Sequence, residues 1–282
     1  MLRFGGTLTL NGVVLYISTN LEKVLVGRFW GVEAIGLYGR AYQLIRFPTD
    51  VLNSAVGQVA FSALSRLRDD SVRLRSYFLK GYSLVLALNI PITTTCALFA
   101  DDIIRFLLGP KWVDAAVLLR LLSPTVLVYT IACPLGWLLD ALGLVGRGLK
   151  MTLVFAPIMI TGILIGLPYG PKGVALAYSI VMVLWVVPVV AWAVHKTVIS
   201  FKDVLMAVKQ PLVSGLVAAV VALGARLSCG EGMAVLLRLF VEGSVLLGTY
   251  VAMLLYVMGQ KSFYMDLFRK LSGQSSVTGA SA

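Results

Sequence analysis

Arg46 and Asp50 stand one helical turn apart in a stretch otherwise apolar enough to lie in a lipid bilayer. A charged side chain at that depth costs ~2.5–3.5 kcal/mol on insertion scales, so it is kept where it has a partner or a task. The four-residue spacing lets Asp50 hold the guanidinium. Either the pair only stabilises its helix, or it keeps a planar, two-pronged cation ready for an anion. Glu22, Lys23 and Arg40 lie close by in sequence. In an antiparallel hairpin Glu22 and Arg40 reach similar depth and can pair, which would fix the hairpin or gate it. Lys23 is expected to snorkel outward.

Other chemistry is absent from the sequence. The single histidine, His195, sits beside Lys196 at the end of an apolar run. No HExxH, GxSxG, P-loop or metal-ligand spacing is found. Asp69-Asp70 and Asp101-Asp102 are paired acids without a second motif, and they read as solvated loop charges. Cys96, Cys133 and Cys229 are far apart, with no CxxC, and read as small hydrophobes. Neither an enzyme, a cofactor nor a metal is expected.

The elements that must position these residues follow from composition. The chain has 282 residues, 59% hydrophobic and 13% charged, which is the profile of a polytopic membrane protein. An all-α membrane bundle is therefore expected. A spanning helix needs ~20 mostly apolar residues. About eight stretches meet that length: 7–26, 36–58, 77–99, 117–142, 151–168, 173–194, 211–228 and 235–257. Asn11, Asn20 and Glu22 interrupt the first, so it reads as a spanning helix and not as a signal peptide. Prolines 48, 91, 124, 134 and 188 should kink their helices, with neighbours satisfying the freed carbonyls.

Within the first two stretches the polar residues keep helical spacing. Thr7, Asn11, Ser18 and Glu22 fall on one stripe. After the turn Gly27-Arg28-Phe29-Trp30-Gly31, so do Tyr38, Tyr42, Arg46, Asp50, Asn53 and Gly57. A helix facing only lipid has no use for such a stripe. It must face other helices or a wet cavity, which suits a transporter better than an anchor.

Lys and Arg sort by loop. Arg3, the group Arg66, Arg68, Arg73, Arg75 and Lys80, then Arg147, Lys150, Lys196, Lys202, Lys209, Lys261, Arg269 and Lys270 fall on one side. The other side has only Arg28, Arg105, Lys111, Lys172 and Arg226. The positive-inside rule makes the first side, and both termini, cytoplasmic. This accounts for the net charge of +11 without nucleic acid. Ser62–Arg75 reads as a basic amphipathic segment on the inner surface. It would set topology and meet anionic lipid headgroups, or grip an entering diphosphate. Trp112 suits the outer interface, with Arg120 snorkelling toward it. The tail from Ser272 has nothing to bury and is expected to be disordered.

Several segments resemble the lipid-linked oligosaccharide flippases of bacterial inner membranes, the polysaccharide-transporter branch of the multidrug/oligosaccharidyl-lipid/polysaccharide exporter superfamily. They are Asn20–Phe29, Ile35–Leu44, Ala60–Leu67, Leu108–Trp112 with Leu118–Pro124, and Gly166–Ala175. The resemblance covers roughly residues 1–195. It implies a C-terminal lobe of six helices at 1–194, two additional helices at 195–258 and a cytoplasmic tail at 259–282. It also implies that the first lobe is missing. The chain is then a fragment, or it works with that lobe or another polysaccharide-export subunit. The implied substrate is a polyprenyl-diphosphate-linked oligosaccharide, moved by alternating access, with membrane lipids as further partners. On this reading Arg46, Arg40, Tyr42 and Asn53 bind substrate, and Glu22 and Asp50 serve coupling or gating. A small-molecule antiporter of the same superfamily, or a non-transporting membrane subunit of an export complex, are the alternatives.

Overall fold

A computed structural model describes residues 2–228 and 235–258, and every regular element among them is helical. The first helix, α1 (Leu2–Arg66), is broken at Gly31, where φ is 86° and ψ is −178°. That backbone region is open to glycine and strained for other residues. The chain folds back there, so that Gly27 meets Ile35 and Lys23 meets Tyr42. The expected hairpin is thus present. Its first arm (2–30) stays helical through Gly27–Trp30, and the reversal uses one glycine, not a five-residue turn.

The remaining helices are α2 (Ser71–Leu98), α3 (Ala100–Leu107), α4 (Asp114–Ala141), α5 (Val145–Gly166), α6 (Gly170–Val194), α7 (Phe201–Ser228) and α8 (Val235–Ala252). Short 3-10 turns lie at Pro110–Trp112 and Leu167–Tyr169. Five stretches are long and apolar enough to cross a membrane: Ser71–Leu98, Asp114–Ala141, Val145–Val194, Phe201–Leu227 and Val235–Val257. The third of these contains both α5 and α6. The arms of α1 fall short of that apolarity because of their polar stripe. Cys229 and the tail lie outside the described residues.

α4 runs through the centre and joins two cores. One packs Tyr38, Ala41 and Ile45 of α1 against Leu119 and Leu122 of α4, Phe155 and Met159 of α5, and Val174 and Tyr178 of α6. The other packs Leu74, Tyr82 and Leu86 of α2 against Leu135 and Leu138 of α4, with Ala218 of α7 and Leu246 of α8. Lipid offers no hydrophobic drive between spanning helices, so close backbone approach carries the packing. Gly166 illustrates it: a Cβ there would lie 2.6 Å from the Gly173 carbonyl oxygen. Likewise a Cβ on Gly57 would meet the Trp137 ring at 2.9 Å, which seats the second arm (32–66) on α4.

Two carbonyls near the prolines of α4 take side-chain donors from neighbouring helices. The Ser179 hydroxyl donates to the Leu121 carbonyl, three residues before Pro124. Tyr82 donates to the Ile131 carbonyl, three residues before Pro134, at 3.0 Å.

The connections gather at two ends. At one, the Trp30 indole donates to the Leu167 carbonyl at 2.9 Å, tying the hairpin tip to the α5–α6 turn. At the other, Arg68 lies beside Gly143, Arg147 donates to the His195 carbonyl at 2.6 Å, and Arg75 grips Asp203 with two hydrogen bonds. This second end carries the basic loops. Ser62–Arg75 is no separate surface helix there: α1 runs to Arg66, and Asp70 caps α2 by accepting from the Arg73 N–H. Arg73 and Arg75 are already paired with acids, which leaves less of the segment free for a diphosphate. At the opposite end Arg120 is exposed and pairs with Asp101 of α3.

Candidate functional site: a cation–aromatic cluster

On the first arm of the hairpin the inward stripe becomes more buried toward the tip. Thr7 and Asn11 are half-buried, Ser18 and Glu22 buried. On the second arm Tyr38 and Asn53 are buried, while Tyr42, Arg46 and Asp50 are half-buried. Helical periodicity therefore placed the stripe correctly.

Arg46 is the centre of the site. Its Nε donates to Asp50 at 3.3 Å and its Nη2 lies 3.2 Å from the same carboxylate. The guanidinium carbon also lies 4.0 Å from the centroid of the Tyr129 ring, on α4, and 5.6 Å from that of Tyr42. Lys23 folds inward and sets its ammonium 4.0 Å from the centroid of the Tyr42 ring, held by a 2.9 Å hydrogen bond to Asn20. Tyr178 of α6 stands beside Tyr42, and Cys133 beside Tyr129. Two cations and two aromatic faces thus meet where α1, α4 and α6 converge. Cation–π contacts contribute about 2 kcal/mol when desolvated, which offsets much of the ~2.5–3.5 kcal/mol cost of inserting a guanidinium.

The structure changes two expectations, the outward reach of Lys23 and the Glu22–Arg40 pair. Lys23 does not snorkel outward; it joins the cluster. Arg40 is exposed and donates to Gln43 at 3.2 Å, so it meets neither Glu22 nor Arg46. Arg40 and Arg46 are six residues apart, which turns them onto different helix faces. Asn53 lies on the Arg46 face, but two turns away and buried, and neither of its amide atoms has a hydrogen-bond partner among the described residues. Cys133, read as a small hydrophobe, sits within the cluster. Tyr129 and Tyr178 escaped the sequence reading because the polar pattern of the hairpin says nothing about which distant tyrosines face it.

Glu22 is fully buried, and neither carboxylate oxygen has a hydrogen-bond partner among the described residues. Lys23 and Arg46 lie within its electrostatic reach, as do Tyr38, Tyr42 and Tyr178. Among the described residues no group of three or more His, Cys, Asp or Glu could hold a metal ion. What the cluster can do is bind: Arg46 and Lys23 present donors to an anion, and the tyrosine rings present flat faces to a sugar or a cation.

Fold and site together define a polytopic helical membrane protein with a cationic, aromatic-lined site. Residues 1–117 match the family model described as polysaccharide biosynthesis protein. The chain is 30% identical over 187 residues to the lipopolysaccharide biosynthesis protein WzxC of Escherichia coli (strain K12), covering 65% of this chain and 37% of that protein. It is 28% identical over 140 residues to the teichuronic acid biosynthesis protein TuaB of Bacillus subtilis (strain 168), covering 50% of this chain and 29% of that one. A solved structure of the lipid II flippase MurJ, in an inward closed conformation, matches 92% of this chain and 53% of its own at a TM-score of 0.71 and 20% identity, so the fold is shared. The resemblance drawn from the sequence is thereby borne out as one to polysaccharide biosynthesis proteins, in a fold shared with a lipid II flippase. The chain spans less than half the length of these two curated relatives and about half that of the solved one.

Proposed function

We propose that the chain is one lobe of a transporter that carries polyprenyl-diphosphate-linked oligosaccharide units across the bacterial inner membrane for polysaccharide export. The observation that carries this reading is Arg46, in mid-helix, 23% exposed, stacked on Tyr129 and pre-oriented by Asp50. A guanidinium so held meets two phosphate oxygens in one plane. Lys23 adds a second positive charge, Tyr42 and Tyr129 offer faces to the first sugar, and Asn53 lies two turns further along the same path. Glu22 and Asp50 carry coupling or gating, because their charges oppose the two cations that hold the anion. Transport needs no covalent chemistry and no cofactor.

In this proposal residues 1–194 form a six-helix lobe, 195–258 add two helices, and 259–282 form a cytoplasmic tail. Eight spans follow from the apolar stretches, and cytoplasmic termini from the loop charges. A first lobe, or another export subunit, faces the hairpin. Its outward side supports this, since Leu10, Val13, Ile17, Val24, Phe47 and Val51 are all exposed.

The test is complementation of a strain lacking its own flippase by the two-lobe protein. Arg46→Ala at normal membrane abundance should abolish surface polysaccharide. Full polysaccharide would remove Arg46 from the site and take the proposal's main support with it.

A further inference from the structure

A second set of charges, away from the hairpin, links three helices at the end of the molecule that holds the hairpin tip. Asp102 of α3 and Glu242 of α8 are buried, with 1% and 0% exposure, and Arg226 of α7 and Arg238 of α8 lie beside them. Asp102 is hydrogen-bonded by Arg238 alone, and Arg226 pairs with it by charge without a hydrogen bond. Arg238 donates to its Oδ1, and Nη2 of Arg226 stands 3.2 Å from its Oδ2. Nε of Arg226 lies 3.9 Å from Oε1 of Glu242, too far for a hydrogen bond. Neither oxygen of Glu242 has a hydrogen-bond partner among the described residues.

The distribution is uneven: Asp102 is hydrogen-bonded by Arg238 and has Arg226 at 3.2 Å, whereas Glu242 has only the 3.9 Å approach of Arg226. A buried acid stranded beside a cation is costly, and a complete pair is favoured where geometry permits. A shift of about 1 Å would bring Arg226 to hydrogen-bond distance of Glu242 while Arg238 keeps Asp102. Each acid would then have its own arginine. Arg226 is well placed for such an exchange, because its Nη1 is anchored on the Leu98 carbonyl at 3.0 Å and its other nitrogens face the two acids.

We propose that Arg226 is a two-position switch, paired with Asp102 on α3 in the state seen here and with Glu242 on α8 in another, and that the exchange moves α8 relative to α2 and α3. The consequence is local. Gly243, next to Glu242, and Leu246, one turn on, line an apolar cavity of about 530 Å³ between α2 and α8. Its opposite wall is Leu88, Pro91 and Ile92 of α2. Drawing Glu242 toward Arg226 changes the width of that cavity directly. Packed interfaces with two discrete arrangements are the means by which such small shifts become conformational change.

Two variants isolate the two positions. Glu242→Gln leaves Arg226 only Asp102. The double variant Asp102→Asn with Arg238→Gln leaves one arginine and one acid, Arg226 and Glu242, with no stranded charge. Spin labels at Leu107→Cys on α3 and Leu247→Cys on α8, both exposed in this structure, report the separation in full-length protein with Cys96, Cys133 and Cys229 replaced by serine. The expected result is a different label distance in the two variants, with the unsubstituted protein sharing its main population with Glu242→Gln. Should the double variant not fold, Arg226→Gln replaces it: removing both pairings should broaden the distribution beyond that of Glu242→Gln. Identical distributions in the variants compared would overturn the switch and leave a fixed structural cluster.

Discussion

The guanidinium of Arg46 lies over the ring of Tyr129, 4.0 Å from its centroid, although the two residues come from different helices, the hairpin and α4. Asp50 approaches the same guanidinium in its own helix at 3.2 Å. Arg46 is therefore held from two directions, once by charge and once by a ring face. Its partners differ in what a ligand could displace: an anion competes with Asp50 for the fork, while the ring still supports the cation.

That division predicts the behaviour of Tyr129. Tyr129→Phe keeps the ring face and should leave transport within about twofold of normal. Tyr129→Leu fills similar space without it and gives up a contact of about 2 kcal/mol, so transport should fall about thirtyfold. Surface polysaccharide normalised to the membrane abundance of the two-lobe protein provides the measurement. Equal activity in the two variants would show that the ring face is dispensable.

Arg46 itself separates binding from structure. Arg46→Lys keeps the charge and loses the fork, so weak transport at normal abundance is expected. If the Arg46–Asp50 pair were only structural, Arg46→Ala would instead deplete the protein, and adding Asp50→Ala would restore it by removing the stranded acid. Immunoblots of membranes alongside polysaccharide levels distinguish these outcomes.

How far the sequence reached is clearest at these residues. The inward stripe was legible because polar groups at a period near 3.6 have only one consistent face. The Arg46–Asp50 pair was legible for the same local reason. Tyr129 was not, because the stretch of α4 around it is mostly apolar and a tyrosine on it carries no mark of its cross-helix partner. Lys23 was misplaced by the general tendency of lysines near helix ends to reach for water; here Asn20 and the Tyr42 ring offer a closer seat. Pairing Glu22 with Arg40 relied on depth alone, and depth does not fix the helix face. The Asp102–Arg226–Arg238–Glu242 set is long-range in sequence, and no local pattern announces it.

The positions of the loops give a topology prediction. A reporter inserted between Asp69 and Asp70, or after Gln260, should be cytoplasmic, and one at Lys111 or Lys172 should be external. The pairing of Arg75 with Asp203 and of Arg147 with the end of α6 gathers the first of these loops at the basic end. Labelling of single cysteines from outside intact cells provides an independent check. An externally accessible 67–70 turn would reverse the orientation.

Packing of α5 on α6 can be tested by one methyl group. Gly166→Ala would place its Cβ 2.6 Å from the Gly173 carbonyl oxygen, with backbone and not a flexible side chain in the way. Overpacking of this kind costs about 1–3 kcal/mol. Gly146→Ala, on the same helix, meets nothing within 4 Å and should be neutral or slightly stabilising. Thermal stability in detergent should fall for the first variant and not for the second. Equal stability would mean that α5 and α6 are less closely packed than their glycines imply.

Glu22 offers the sharpest test of coupling. Its carboxylate is fully buried, has no hydrogen-bond partner among the described residues, and lies within electrostatic reach of both cations of the site. A buried acid without a partner is costly, so Glu22→Gln, which keeps the shape and removes the ionisable group, should not destabilise the fold. Normal or raised thermal stability is expected. If the charge of Glu22 takes part in the transport cycle, the variant should lose most polysaccharide export despite that stability, and what remains should no longer respond to collapse of the proton gradient. Loss of function without loss of protein is the signature, because a residue that merely fills space would be replaced by glutamine without effect. Full export by Glu22→Gln, with an unchanged response to the gradient, would leave Asp50 as the remaining candidate for coupling at this site.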